Sequence, residues 1–362
     1  MSTSIAVLGA SGYVGSALCA HVLRSGILEP GDRLQLVGHG EPSSYGRLLA
    51  IRADLLDAFD DLRVSIDVAP QLEDIEADLV VLTAGVPMPP GCTDRRVMGR
   101  GNLPIFRDIA NACGKHLPTA TYLVVSNPVE LAVQELSRTI DRKRIIGIGA
   151  EQDSLRFARS IARSLGISRH DVHASVWGEH GRHMIPMWHS VRLRGDDDKV
   201  FKLFSELEWS AQQKPLMERV ANLQEASLLY LQNEDIASAY HLVEAALPDA
   251  RIFIEPFVTA SAIHSTPNAT ANAVLNIIRA WKEDDGRCVH AQVMLQGELH
   301  DISCPFGVPV SVGSKGWILH PNGDSHNVSR EELDASIRGI QDALADASAP
   351  LSDLWERSIA NA

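Results

Sequence analysis

Residues 4–23, SIAVLGASGYVGSALCAHVL, decide the fold of this chain. A short apolar run leads into Gly9, Gly12 and Gly15, and an apolar helical pattern follows. In such a turn the first glycine permits the bend, the second lets the backbone approach a phosphate at the helix N-terminus, and the third allows close helix-to-strand packing. These glycines, and the absence of a basic segment before them, argue against a membrane span or signal peptide. The stretch predicts a strand, a turn that binds a dinucleotide phosphate, and a buried helix; a glycine-rich turn without a ligand is the alternative.

Further short apolar runs alternate with helical patterns through the first 150 residues, at 34–37, 79–83, 121–126 and 144–147. Runs of this composition are typical of strands that are buried on both faces. With helices between them, they predict an α/β protein with a Rossmann-type doubly wound parallel sheet. We expect this dinucleotide-binding domain to cover residues 1–149.

The pattern changes after residue 149. A helix is predicted at 153–165, a strand at 173–177, and antiparallel strands at 289–295 and 308–312. These elements predict a mixed α/β substrate domain over residues 150–362, with a helical insertion at about 196–250. Ser329 and Glu332 form the pattern of a capping box, which predicts a closing helix from there to about residue 345.

Composition excludes several classes of protein. The 362 residues are 45% hydrophobic and 22% charged, which is the balance of a folded globular chain. The formal net charge is −13, so a nucleic acid is not expected as a partner. Five cysteines without a C-x-x-C pair indicate reduced thiols and a cytoplasmic location. We expect a soluble protein that binds small molecules and neither membrane nor nucleic acid.

The cofactor is predicted from the glycine turn and the end of the second apolar run. The turn would place Gly9, Ser11, Gly12, Tyr13, Val14 and Gly15 against the dinucleotide, and Gly38 and His39 would lie near its ribose. An acidic residue that would bind a ribose 2′-hydroxyl is missing from the end of the second run. His39 or Arg47 could pair with a 2′-phosphate, whereas Glu41 could still serve as the acid. The prediction is NADP or NAD, with NADP slightly favoured.

A second group of residues has the chemistry of proton transfer. His180 lies between glycines directly after a predicted strand, and Asp153 and Arg156 are three residues apart on one predicted helix face. Asp153 could orient His180 and favour its charged form, and the fork of Arg156 could bind a carboxylate. The alternatives are a helix cap for Asp153, a surface charge for Arg156 and a structural role for His180.

These segments together resemble the L-lactate and malate dehydrogenase family over about residues 4–190, and more weakly beyond. The resemblance rests on the glycine turn, Thr83-Ala84-Gly85 with Pro87 and Pro90-Gly91, Ser126-Asn127-Pro128-Val129, Asp153-Ser154-Leu155-Arg156-Phe157, and Gly178-Glu179-His180-Gly181 followed by Pro186 and Trp188. It implies an oxidoreductase that transfers a hydride between a nicotinamide cofactor and a small 2-oxo or 2-hydroxy acid.

The resemblance also implies roles for single residues. His180 would donate and accept the proton, Asp153 would be its partner, and Arg156 would hold the substrate carboxylate. Residues 87–100 look like the family's mobile loop, which brings an arginine to the substrate carbonyl. Counted back from Asn102 this arginine is Arg95, although a forward count from Gly91 gives Asp94, so the loop is one residue longer than usual. Further implied contacts are Asn127 with the substrate or nicotinamide, Thr266 with the substrate, and Thr83, Ala84 and Gly85 with the cofactor.

The sequence departs from the family at two places around the expected pocket. Met88 stands where malate-specific members have an arginine, so malate itself is not favoured. Arg182, with His183, could supply a displaced cation, or the two could be a solvated pair. The interval from His180 to Thr266 is longer than usual by a few tens of residues, and this extra material could cover the pocket, form a subunit contact or build a small core. The family implies a homo-oligomer, either a dimer or a tetramer.

Two other functions would also use a nucleotide-binding fold. An NAD-dependent glycosidase would hold a metal through cysteine and histidine, but Ser126 precedes Asn127 and no cysteine lies near His180 in sequence, so we expect no metal. A non-catalytic nucleotide-binding protein has no need of the set formed by Asp153, Arg156 and His180. A 2-hydroxy acid dehydrogenase is therefore the function that the sequence favours.

Overall fold

A computed structural model describes residues 2–39, 41–86, 95–195, 197–263, 265–321 and 328–349, with the backbone alone at 95–97. The strands in these ranges are β1 (Ser4–Leu8), β2 (Arg33–Val37), β3 (Ser65–Ala69), β4 (Leu79–Leu82), β5 (Thr121–Val124), β6 (Ile145–Gly147), β7 (Val172–Gly178), β8 (Met184–Leu193), β9 (Val289–Met294), β10 (Pro305–Gly313) and β11 (Gly316–Leu319). The helices are α1 (Tyr13–Arg24), α2 (Pro42–Phe59), α3 (Arg95–His116), α4 (Val129–Leu136), α5 (Gly149–Leu165), α6 (Asp198–Gln212), α7 (Leu216–Gln232), α8 (Ile236–Ala245), α9 (Pro248–Ile263), α10 (Pro267–Glu283) and α11 (Arg330–Ser348).

The first six strands form a parallel sheet in the order β3-β2-β1-β4-β5-β6. Every residue of β4 and β5 is buried, as expected for strands covered by helices on both faces. The order reverses between β1 and β4, so the carboxyl ends of these strands open a crevice at the switch point where ligands bind in such folds. The expected Rossmann-type doubly wound sheet is confirmed.

The second half of the chain extends the same sheet with antiparallel strands. β9 joins β6 where Gly147 lies opposite Gln292, and β10, β7 and β8 follow in that order. Glycines allow the close crossing of β10 and β7, because a Cβ on Gly307 would lie 2.7 Å from the Gly178 carbonyl oxygen. The loop that follows β7 therefore has a fixed position relative to the crevice of the parallel half.

Three helices, α6, α7 and α8, follow β8 in the stretch where a helical insertion is predicted. α7 and α8 pack with α9 around a small apolar cluster of their own, which includes Val220, Leu223, Val243 and Val258. α6 packs instead on the apolar cluster of α5 and β7. The packing of α7 and α8 corresponds to the small-core alternative for this stretch. The division at residue 149 and the status of the stretch as an insertion stay predictions.

Several boundaries differ from those that the sequence predicts. α5 begins at Gly149, four residues before the predicted start, so Asp153 lies in the second turn and is not a helix cap. Residues 95–100, predicted as loop, form the first turns of α3. The reason is tertiary contact with α11: the Arg100 Nε–H donates to the Asp346 carbonyl (2.9 Å), and Gly99 packs against the end of α11. The sequence predicts no strand at the positions of β3, β8 and β11. The Ser329 capping box is present and begins α11.

In the part of the chain that the structure describes, none of the helices combines the length and the apolar character that crossing a bilayer requires.

The close packing at Gly15 gives a first prediction. A Cβ at this position would lie 2.8 Å from Thr83 Oγ1 and would also meet the Gly9 carbonyl, so Gly15→Ala should push the turn open. We expect the free energy of unfolding to fall by about 1–3 kcal/mol, the usual cost of overpacking. Urea titration followed by circular dichroism measures it. Gly46→Ala is the matched control, because its Cβ would meet nothing within 4 Å and alanine favours the helix. Equal stability of the two variants would contradict the packing argument.

Candidate active site

The turn after β1 is shaped to receive an anion. Gly9 has a φ of +80°, and a Cβ there would lie 2.8 Å from the Ala84 backbone, so only glycine fits. Gly12 is the N-cap residue of α1, and its N–H donates to the Gly9 carbonyl (2.9 Å). No side chain caps α1, so the first amides of the helix lack a protein side-chain acceptor. A helix N-terminus of this kind fits the pyrophosphate of a dinucleotide.

The carboxyl ends of β1, β4 and β5 are held together beside this turn. The Thr83 hydroxyl donates to the Leu8 carbonyl (2.7 Å) and lies beneath Gly15. The Ser126 hydroxyl donates to the Ala84 carbonyl (2.6 Å). These bonds place Ala84 and Gly85 along the crevice, next to the turn.

Asn102 connects the segments that follow β4 and β5. Its side chain is buried, and its Oδ1 accepts from the Val86 N–H (2.6 Å) while its Nδ2 donates to the Asn127 carbonyl (2.7 Å). Asn127 is itself exposed and precedes Pro128 through a cis peptide bond. The backbone of Asn127 is therefore held against α3, at the carboxyl end of β5, and the residue is exposed there.

A buried carboxylate on α5 joins the two predicted catalytic side chains. Asp153 Oδ2 lies 2.6 Å from His180 Nδ1, and the Arg156 Nη1–H donates to Asp153 Oδ1 (3.1 Å). The Asp153 side chain is only 2% exposed. Burial acts to raise the pKa of this carboxyl, but the charges and hydrogen bonds of His180 and Arg156 outweigh burial and lower it. Asp153 is thus ionised at neutral pH and favours a proton on His180 Nδ1.

Local backbone features bring His180 to this carboxylate. Gly178 ends β7 with a φ of +86°, which turns the chain sharply. The His180 N–H then donates to Glu130 Oε1 of α4 (2.7 Å). The imidazole packs on Gly149, where a Cβ would lie 2.5 Å from the ring Cγ. β7, α4 and α5 together therefore determine where the ring lies.

Arg156 reaches from the carboxylate toward the start of α10. Its Nη2–H donates to the Thr266 hydroxyl (3.4 Å), and Gln152 donates to the same oxygen (3.3 Å). Thr266 is the N-cap residue of α10. The structure therefore brings four residues predicted from the sequence, Asp153, Arg156, His180 and Thr266, into one connected polar cluster.

Other predicted site residues lie apart from this cluster or outside the described residues. His39 is exposed just beyond β2, and Gly38 lies against Leu48 of α2. Arg182 is exposed, two residues beyond His180. Met88 lies outside the described residues, and for Arg95 the structure describes the backbone only, at the first residue of α3.

The structure adds residues that sequence reasoning missed. Glu130 holds the His180 backbone, and the Ser336 hydroxyl of α11 accepts from the Glu179 N–H (2.8 Å). Glu179 Oε2 in turn accepts from the His183 backbone N–H (2.9 Å) and lies 2.7 Å from His183 Nδ1. A signal for Glu130 was present, because it is a single acid among the apolar residues of VELAV at 129–133. Ser336 carried no such signal, since small residues are common on any helix.

Comparison with known proteins agrees with this architecture. A sequence profile described as lactate/malate dehydrogenase, NAD binding domain, matches residues 3–147. The malate dehydrogenase of Haloarcula marismortui is 26% identical over 364 aligned residues, which cover 98% of this chain and 99% of the relative. The L-2-hydroxycarboxylate dehydrogenase (NAD(P)(+)) of Methanocaldococcus jannaschii is 24% identical over 320 residues, 86% of this chain and 88% of the relative. The solved lactate dehydrogenase of Cryptosporidium parvum has a TM-score of 0.74 at 21% identity, with 97% and 99% of the two chains covered.

The doubly wound sheet, its glycine turn and these matches define a nicotinamide-dependent oxidoreductase. The match over residues 3–147 and the similarity to curated relatives over nearly the whole chain support membership of the lactate/malate dehydrogenase family. The resemblance seen in the sequence is therefore confirmed.

The burial of Glu130 gives a prediction of pH dependence. Burial raises the pKa of its carboxyl to about 7, although the His180 charge and backbone N–H act against the rise. The folded state thus binds the Glu130 proton more tightly than the unfolded state, whose pKa is near 4.5. It follows that the stability contributed by this group is lost as pH rises through this window.

We expect Glu130→Gln, which keeps an oxygen for the His180 N–H, to remove that part of the pH dependence. Urea unfolding at about pH 5 and about pH 8 measures the change in both proteins. Glu225→Gln, an exposed position on α7, is the control and should behave as the parent does. An unchanged pH slope in the Glu130 variant would show that another group carries it.

Proposed function

We propose that this protein is a 2-hydroxy acid dehydrogenase in which His180 transfers the proton, Asp153 orients His180, and Arg156 binds the substrate carboxylate. One observation carries the proposal: the buried Asp153 carboxylate contacts His180 and Arg156 at 2.6 Å and 3.1 Å. A structural ion pair needs no third group, whereas reduction of a 2-oxo acid needs an acid, a partner for it and a cation for the carboxylate.

His180 has a defined proton arrangement for this reaction. With Nδ1–H donated to Asp153, the proton that moves is the one on Nε2, for which the described residues offer no hydrogen-bond partner. The bound nicotinamide would supply the hydride, and His180 would protonate the alkoxide that forms on the substrate oxygen. The Asp153 carboxylate stabilises the imidazolium before transfer and holds the ring in place during it.

Arg156 is prepared to bind a carboxylate in one orientation. The bonds of its Nη atoms to Asp153 and Thr266 hold a guanidinium that is 15% exposed. A planar fork fixed in this way binds a carboxylate through parallel hydrogen bonds and at low entropic cost. We further propose that Asn127 contacts the substrate oxygen or the nicotinamide, and that Arg95 is the arginine that polarises the substrate carbonyl.

The substrate we propose is a 2-oxo acid with an uncharged side group. Met88, where malate-specific members have an arginine, offers no charge to a second carboxylate. Exposed Arg182 is the nearest residue in sequence to His180 that could bind a distal anion instead. A homo-oligomer, dimer or tetramer, is also proposed, because α6 and α7 expose Trp209 (64%) and Leu229 (59%) to solvent.

The central test is His180→Asn. We expect kcat to fall by about 10²–10⁴-fold, the usual contribution of general acid–base catalysis, because asparagine cannot donate the proton. Affinity for reduced nicotinamide, measured by fluorescence titration, should stay near the parent value. His241→Asn, at an exposed position on α8, is the control.

The substrates for this test are a panel of 2-oxo acids, and turnover is measured as the loss of nicotinamide absorbance. The panel includes oxaloacetate, which tests the role of Met88. Retained turnover in the His180 variant would refute its role. Tight cofactor binding without oxidation on any acid would favour a non-catalytic nucleotide-binding protein.

Cofactor choice gives a separate prediction. β2 ends at Val37 and is followed by Gly38 and His39, with no acid until Glu41 at the N-cap of α2. Arg47 lies exposed on α2, from which it could pair with a 2′-phosphate. We expect NADPH to be used at least as well as NADH, and Arg47→Ala to raise the KM for NADPH alone. NADH serves as the internal control, since it lacks that phosphate. A strong preference of the parent protein for NADH would contradict this proposal.

A further inference from the structure

A small cavity of about 120 Å³ lies between α5 and the starts of β7 and β9, and the proton-transfer mechanism does not use it. Glu151 and Ser154 of α5 line one side, His173, Cys288 and His290 line the strand side, and Arg169 also lines the cavity. His290 is buried, Cys288 is half-buried and His173 is exposed. The group is therefore reachable from solvent through His173 but is closed at its inner end.

The three strand-side residues carry donor atoms that a metal ion prefers. Two imidazole nitrogens and one sulfur all lie within 4.8 Å of one another. A tetrahedral zinc ion separates such atoms by about 3.5 Å, as its bond lengths require. A change of rotamer in the exposed His173 side chain can shorten the distances between the donor atoms to this value. Nitrogen and sulfur donors together select zinc-class ions over magnesium or calcium.

A carboxylate already orients the buried histidine. Glu151 Oε2 accepts from the His290 backbone N–H (2.9 Å) and lies 3.3 Å from His290 Nδ1. An Nδ1–H that faces this carboxylate donates to it. The lone pair is then on Nε2, which now lies 2.8 Å from the Ser175 hydroxyl. A carboxylate behind a histidine is the usual support of a metal ligand.

Charge also favours a divalent ion here. A Cys288 thiolate and the Glu151 carboxylate would supply two negative charges, which balance the charge of a zinc ion. An ion that binds must displace the thiol proton of Cys288 to solvent.

We propose that His173, Cys288 and His290 form a binding site for one zinc-class divalent ion, with Glu151 as the residue that orients His290. This site goes beyond the proposed dehydrogenase function and does not depend on it. The expectation of no metal rests on the absence of a cysteine near His180 in sequence. The signal for this site lies in Cys-Val-His at 288–290, because residues two apart in an extended segment point to the same side.

The test uses the full chain, stripped of metal with a chelator and titrated with Co²⁺ as a spectroscopic probe for zinc. We expect a thiolate-to-cobalt charge-transfer band in the near ultraviolet and the visible bands of tetrahedral Co²⁺, both saturating at one ion per chain. Cys288→Ser should abolish the charge-transfer band, and His173→Ala should weaken binding. Glu151→Gln should weaken the affinity about 10–100-fold, as loss of a carboxylate behind a metal-bound histidine does.

His170→Ala is the matched control, because His170 is exposed three residues before His173 and lies outside the cluster. Circular dichroism of each variant checks that it folds. Failure of the parent protein to develop the charge-transfer band, or persistence of the band in a folded Cys288→Ser variant, would overturn the proposal. This experiment does not measure turnover, so a protein that fails to bind Co²⁺ would leave the dehydrogenase proposal unaffected. Retained activity in the His180 variant, which would refute the dehydrogenase proposal, would in turn leave the metal-site proposal unaffected.

Discussion

The buried carboxylate of Asp153 is the constraint on which the site depends. Removing an ionised carboxylate from water costs several kcal/mol, and only partners in good geometry offset that cost. His180 and Arg156 provide those partners, one from the end of β7 and one from the same helix as Asp153. Any displacement of β7 relative to α5 would leave a buried charge without a partner, so the fold and the protonation state of the site are linked.

Close backbone approaches keep α5 and the end of β7 together. Gly149 allows the His180 ring to lie on the first turn of α5, and Gly307 allows β10 to cross close to Gly178. A second acid, Glu130 of α4, accepts a hydrogen bond from the His180 backbone. The environments of Asp153 and Glu130 move their pKa values in opposite directions, down for Asp153 and up to about 7 for Glu130, because only Asp153 has two cationic partners. Neighbouring titratable groups whose environments move their pKa values apart are a common feature of catalytic sites.

The same helix presents two carboxylates that each contact a histidine from a different strand. Asp153 contacts His180 after β7, and Glu151 contacts His290 of β9. Because residues two apart on a helix point in different directions, the two pairs face separate spaces. α5 therefore organises both the polar cluster of the proposed active site, beyond the end of β7, and the histidine–cysteine group at the start of β7.

Much of this could be predicted from local sequence, because it rests on local chemistry. The glycine spacing at 9, 12 and 15 and the apolar runs at 34–37, 79–83 and 121–126 determined the doubly wound sheet, since each reflects backbone geometry and burial within one element. The sequence also identified Asp153, Arg156, His180 and Thr266 as candidates. It could not show that they meet, that α5 starts at Gly149, or that residues 95–100 are helical, because these depend on contacts with α10, β7 and α11. Only the tertiary structure decided that Glu130 lies behind His180 and that His173 lies beside Cys288 and His290, because each of these contacts joins residues that are far apart in the chain.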